Sequence, residues 1–211
     1  SVRASAIVLA HGAEPILEQC VAALVADGAQ DILVVDNDAA PGPVDAVRGM
    51  PGVRVLSAGR NLGFAGGCNY AASHAAGDVL VFVNSDALVQ PGTLAALVRR
   101  VAEPDVGLAS ASIRLADDPE VLNTAGNPVH YLMFSWVGSL GERAADHAEL
   151  TEVASVTGVT FAVRREVWDA LGGFDADYVA YCEDVYLSLR AWQAGYRVVH
   201  EPEAVVLHHY D

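Results

Sequence analysis

The 211-residue chain is 53% hydrophobic and only 18% charged, a balance that specifies an ordered globular protein with a substantial core and excludes intrinsic disorder. Twelve Lys and Arg against twenty-seven Asp and Glu leave a formal charge of −15, which opposes a nonspecific hold on nucleic acid or anionic lipid; an anionic ligand has to be held by local devices such as backbone amides or a metal. Cys20, Cys68 and Cys182 form neither a disulfide framework nor a CxxC pair, no apolar stretch reaches spanning length and the start has no signal-peptide layout, so a soluble chain in a reducing cytoplasm is expected.

Ala4 to Ala10 reads as a buried strand, followed by a helix with Pro15 in its first turn and Ile16, Leu17, Cys20, Val21 and Leu24 at the spacing that faces a sheet. Asp31 to Val35 is the next strand, ending on Asp36-Asn37-Asp38, and Val53 to Ser57 the third. Strand, helix, strand, helix-like connection, strand is the pattern of a βαβ sheet with right-handed crossovers. Arg60 to Asn69 then runs into a helical pattern over Tyr70 to Ala76. Gly63, Gly66 and Gly67 there allow close approach of backbone to a ligand. Neither a GxGxxG nor a Walker A sequence is present, which disfavours a dinucleotide enzyme or a P-loop ATPase.

Val79 to Ala87 is an unbroken apolar run that stops at Asn84-Ser85-Asp86. A run without alternation suits a strand covered on both faces, and ligands of open α/β sheets sit beyond the carboxyl ends of such strands. On this segment alone, a turn that merely caps the helix near Pro91 fits equally well. Thr93 to Ala102 reads as a helix and Val106 to Ile113 as a strand. Val121 to Val137 reads as a β-rich insertion or hairpin, and Gly138 to Val153 as a mobile surface loop, either a lid or plain disorder. Thr157 to Val163 is a strand, Arg165 to Leu171 a short helix, and Gly172 to Asp175 a turn. Glu183 to Ala194 is a helix stopped at Gly195, with Glu183 and Asp184 at its start. Arg197 to His200 and Ala204 to Leu207 read as two short strands. No repeat or low-complexity linker divides the chain, so one domain over residues 1–211 is expected, with a regular α/β half over about 1–113 and a less regular half over about 114–211.

Taken together, GRNLGFAGGCNYA, VFVNSDA, TGVTFAVRREVWDALGGFD and YCEDVYLSLRAWQAGYRVVHEPEAVVLHH resemble, in order and spacing, the inverting glycosyltransferases of family 2, and most nearly their rhamnosyltransferase-like and galactofuranosyltransferase-like branch. The resemblance implies a GT-A fold, a Rossmann-like, mostly parallel sheet flanked by helices with a smaller acceptor-side half. It also implies transfer from a UDP- or dTDP-sugar to an acceptor hydroxyl, in cell-wall, polysaccharide or glycoconjugate synthesis. On the same ground, Ala10, Asp36, Asn61, Gly66, Asn69 and Ser85 line the nucleotide-sugar side, and Asp86, with Asn84 and His208, holds Mg²⁺ or Mn²⁺. Asp184 matches the general base, and Glu183 would orient the acceptor, with the helix start keeping Asp184 ionised.

The bland alternatives stand beside these assignments. Glu183-Asp184 also suits a plain helix cap, and only one of His208 and His209 faces the site from a strand. Trp136, Trp168 and Tyr181 are either sugar-stacking platforms or core aromatics. The sequence departs from the family pattern at Asn84, where a strict DxD has Asp, at Tyr186 after the ED pair, and at His11-Gly12 near the nucleotide. Asn84 and Tyr186 motivate a second reading, a nucleotide-sugar-binding module without transfer activity. A sugar nucleotidyltransferase is weakened because no glycine-rich, Arg/Lys-containing signature follows the first strand. The acceptor is a glycan, a lipid-linked sugar or a small molecule, nucleic acid is not a partner, and membrane association is expected only through a segment not present here.

Overall fold

The computed structural model describes residues 2–130, 134–177 and 182–209. The strands β1 (Ala4–Gly12), β2 (Ile32–Ala39), β3 (Val53–Ser57) and β4 (Val79–Asn84) lie parallel in the order β3-β2-β1-β4. They are joined through α1 (Leu17–Ala26), α2 (Pro41–Val47) and α3 (Gly63–His74). Successive side chains of a strand go to opposite faces, so a run with no polar alternation needs both faces covered. That is what forms. Ala6, Val8, Val34 and Val81 pack with Leu17, Cys20, Val21 and Leu24 of α1, while Ile7, Leu33, Leu80 and Phe82 pack with Ala65, Cys68 and Ala71 of α3.

Beyond β4 the sheet becomes mixed. β9 (Thr160–Arg164) lies antiparallel between β4 and β6 (Val106–Leu115), β10 (Arg197–His208) runs parallel to β6, and β5 (Ala87–Val89) pairs antiparallel with β10 at the edge. The short strands β7 (Leu122–Thr124) and β8 (Thr151–Glu152) pair with β6 and β10. α4 (Thr93–Val101), α5 (Arg165–Leu171) and α6 (Glu183–Gln193) complete the helical layers. The mostly parallel character expected from the βαβ pattern therefore holds over the first four strands and gives way where β9 enters against β4.

Several local expectations change. The glycine-rich segment is itself the first part of α3, which starts at Gly63. Gly67 does not approach a ligand: a Cβ there would sit 2.3 Å from Leu9 Cδ1, so its missing side chain is what lets α3 close on β1. The two final strands are one, with a register shift between Glu201 and Val205 that accommodates Pro202, which has no amide to give the ladder. The 138–153 segment carries a 3₁₀ turn at Ala144–His147 and β8. Trp168 is 5% exposed and packs tilted against Phe82 at 4.8 Å and edge-on to Phe174 at 5.1 Å, which makes it core and not a sugar platform. Trp136 is exposed, and Tyr181 lies outside the described residues. Among the described residues no helix is long and apolar enough to cross a membrane.

Candidate active site

Parallel pairing brings the carboxyl ends of β1, β2 and β4 to one edge: Leu9 lies opposite Asn84 and Ala10 opposite Asp36. Asn84-Ser85-Asp86 turns the chain from β4 into β5 at that edge. The turn is held by its backbone. Asn84 N–H donates to Val159 O at 2.8 Å, the buried Cys20 thiol donates to Asn84 O at 3.4 Å, and His209 N–H donates to Asp86 O at 3.1 Å. Ser85 is half-buried within it.

His208, at the end of β10, faces inward, whereas His209 is exposed. Strand alternation thus selects one of the two adjacent histidines. The His208 ring places Nδ1 3.2 Å from Asn123 Oδ1 on β7 and Nε2 3.2 Å from Asp86 Oδ1. Asp86 Oδ1 is fully covered and accepts no hydrogen bond among the described residues. A carboxylate oxygen and an imidazole nitrogen side by side are donors of the kind a divalent ion takes. Among the described residues no cluster of three or more His, Cys, Asp or Glu side chains forms. The pair therefore fits a hard divalent ion that takes most of its oxygens from a ligand or water. The Asn84 backbone is spent on the strand and on Cys20.

Asp184 lies in the first turn of α6, after Cys182 in the left-handed region at φ 71°. Its Oδ2 accepts Gly158 N–H and its Oδ1 accepts Val185 N–H, each at 2.8 Å. Gly158 precedes Val159, whose carbonyl holds Asn84. Two consecutive residues of one segment thus tie the carboxylate on α6 to the Asn84-Ser85-Asp86 turn. Burial pushes the Asp184 carboxyl above the usual carboxylate range, against the opposing pull of the Val185 and Gly158 amides. Burial is the largest influence on that carboxyl, and the amides around the helix start oppose it. Glu183 is nearly buried, and it too is pushed up, first by burial and also by Asp184.

On the β1–β2 side, Ala10 is buried and Asp36 half-buried, with Asp36 Oδ1 accepting Ala39 N–H at 3.2 Å. The residue that organises this side is Asn37, only 2% exposed. Its amide donates to Asn61 Oδ1 at 3.0 Å and Gly63 O at 3.3 Å, its Oδ1 accepts Leu62 N–H at 2.8 Å, and its carbonyl meets His11 Nδ1 at 2.9 Å. Asn61 is exposed beside it, and Gly66 is half-buried one turn into α3. The Asn69 side chain donates to Phe174 O at 2.8 Å and accepts Phe174 N–H at 3.0 Å, fastening the Gly172-Gly173 turn to α3. Sequence reading passed over Asn37 as one of three polar residues in a row, and the only available signal was its place at the end of an apolar strand. Two cavities of about 510 and 590 Å³ lie at the opposite, amino edge of β1 and β4, beside Asp78 and Arg165 and beside Arg3 and Asp31, away from this chemistry.

The model of the family described as "Glycosyl transferase family 2" matches residues 5–172, most of this site included. The chain belongs to glycosyl transferase family 2. Among curated relatives, this glycosyltransferase is 28% identical over 230 residues to the N-acetylglucosaminyl-diphospho-decaprenol L-rhamnosyltransferase of Mycobacterium tuberculosis, covering 96% of this chain and 75% of that protein. It is 33% identical over 149 residues to the O-antigen biosynthesis protein RfbC of Myxococcus xanthus, covering 67% of this chain and 12% of that protein. The fold is shared with GalNAc-T7 solved with UDP, GalNAc and Mn²⁺, at a TM-score of 0.83 and 17% identity over 99% of this chain and 43% of the other. It is shared too with the mannosyltransferase PcManGT of Pyrobaculum calidifontis in complex with GDP-Man and Mn²⁺, at 0.72 and 22% over 98% and 56%. The family 2 chain has the GT-A fold of these enzymes and spans about half the length of the solved ones.

Proposed function

We propose that this glycosyltransferase domain moves a sugar from a UDP- or dTDP-sugar to an acceptor hydroxyl with inversion, with Asp184 as general base. The observation that carries the reading is the Gly158–Val159 link, which brings Asp184 to the same edge as Asp86 and His208. In this reading the nucleotide lies over the ends of β1 and β2, between Asp36 and the loop that Asn37 clamps. Asp86 and His208 would hold Mg²⁺ or Mn²⁺, which when bound offsets the charge of the departing diphosphate. Asp184 takes the proton of the acceptor hydroxyl as that oxygen attacks the anomeric carbon from the face opposite the diphosphate. The raised basicity that burial gives Asp184 suits that role, provided the carboxyl is ionised at working pH. The acceptor is a glycan, a lipid-linked sugar or a small molecule.

Transfer from a panel of UDP- and dTDP-sugars, measured with Mn²⁺ present, tests this. Asp184→Asn is expected to lower turnover about 10²–10⁴-fold while nucleotide affinity stays unchanged. A variant that keeps wild-type turnover removes Asp184 from the reaction. A wild type that binds the nucleotide but transfers to no acceptor favours the binding-module reading, for which Asn84 in place of Asp is the motivating residue.

A further inference from the structure

Glu183 and Asp184 open α6 as adjacent carboxyls, and the fold treats them unequally. Each Asp184 oxygen accepts a backbone amide, from Gly158 and from Val185. Glu183 is 9% exposed, and its Oε2 is covered and accepts no hydrogen bond among the described residues. The titratable groups that face it are Asp184 on its own helix and Cys68 on α3, whose buried thiol is pushed further up by the Glu183 charge. Neither is a cation. A buried anion with one covered oxygen unbonded, only its own backbone amide as donor and no counter-charge, next to a second anion, is an arrangement that proteins relieve by retaining a proton. The proton belongs on the carboxyl with fewer amide donors: Glu183 has its own backbone amide, whereas Asp184 is also held by Val185 and Gly158, and each amide favours the charged form.

We propose that Glu183 is held as the uncharged acid and that Asp184 alone carries the charge of the pair, which makes Glu183 a positioning residue and not a second base. Its neutral side chain seats the first turn of α6 beside α3 and leaves Asp184 without a like charge next to it. The catalytic consequence rests on the transfer reaction proposed above; the location of the proton does not.

Infrared difference spectra of the full chain at neutral pH read the proton directly. The carbonyl band of a protonated carboxylic acid is expected in the wild type and is expected to vanish in Glu183→Gln, with Glu183→Met as the second variant should the amide not fold. A wild type without the band, or a band that persists in both variants, overturns the proposal. Kinetics supply the second readout. A neutral Glu183 predicts that Glu183→Gln leaves the acidic limb of kcat/KM in place. An ionised Glu183 predicts instead that its removal moves that limb down by about one unit, as loss of a neighbouring charge does. If no transfer is found, the spectra still decide where the proton sits. If transfer depends on Asp184 but the band is missing, the proton assignment alone falls.

Discussion

Replacing Asn37 with Ala removes the clamp between the end of β2 and the loop that starts α3. The side chain is 2% exposed and makes its bonds to Asn61 at 3.0 Å, Gly63 at 3.3 Å and Leu62 at 2.8 Å. At about 1 kcal/mol net for each good hydrogen bond, with the 3.3 Å contact counted as weak, the loss comes to about 2 kcal/mol. Water reaches the exposed Asn61 after truncation, and Asn61 Oδ1 still accepts Gly63 N–H at 2.8 Å, so the cost does not approach that of a sealed, orphaned donor. For a domain of this size, 1 kcal/mol moves Tm by about 2–4 °C, so a fall of about 4–8 °C is expected. If the loop contacts the donor, part of that energy must be repaid on binding, and UDP or dTDP affinity should drop about tenfold, which corresponds to about 1.4 kcal/mol. Thermal unfolding and calorimetry with UDP and Mn²⁺ measure the two effects separately. A variant that loses stability but binds nucleotide as tightly as the wild type refutes the placement of the donor over β2, and one that loses neither shows that the clamp is energetically idle.

Other substitutions probe the remaining parts. Asp86→Ala should abolish the gain in UDP affinity that Mn²⁺ brings, a loss of about tenfold or more, and calorimetry with and without the ion shows whether it does. For Asp184, the folded pKa lies above the unfolded one, so the stability contributed by its protonated form is fully present below the unfolded pKa and lost as pH rises through the folded one. Asp184→Asn should therefore unfold at higher temperature than the wild type at neutral pH, with the difference closing in acid, as denaturation at several pH values will reveal. Wild-type kcat/KM should fall in acid from above the usual carboxylate range, since the protonated group cannot accept the hydroxyl proton. Gly67→Ala places a Cβ 2.3 Å from Leu9 Cδ1 and should cost about 1 kcal/mol in urea unfolding, the low end for overpacking because a rotatable side-chain end can yield.

The parts of the fold that sequence made legible are those with a repeating physical signature. The apolar run from Val79 announced a strand covered on both faces, Asp31 to Val35 announced another strand, and the 3.6-residue spacing in α1 and α6 announced helices. Other features carry no such signature. β5 is only 3 residues long and exists because β10 offers it a partner, so no local pattern marks it. Trp168 looked equally suited to stacking a sugar or filling a core until Phe82, Phe161 and Phe174 were brought around it from other elements. Asn69 stood among ligand candidates, yet its amide is consumed by Phe174, 105 residues away in sequence.

What the sequence determined by itself is the alternation of strands and helices, the family to which it belongs, and which carboxylates stand at strand and helix ends, because burial period and motif spacing are local properties of a chain. What the tertiary structure decided is which polar groups are already spent and which are left to act. Asn123 on β7 orients His208, Gly158 and Val159 join Asp184 to the Asp86 turn, Asn37 holds the donor-side loop, and Glu183 Oε2 is left without a hydrogen bond among the described residues. Hydrogen-bond partners and desolvation depend on neighbours distant in sequence, so the chemistry of a carboxylate is settled only when the sheet has assembled around it.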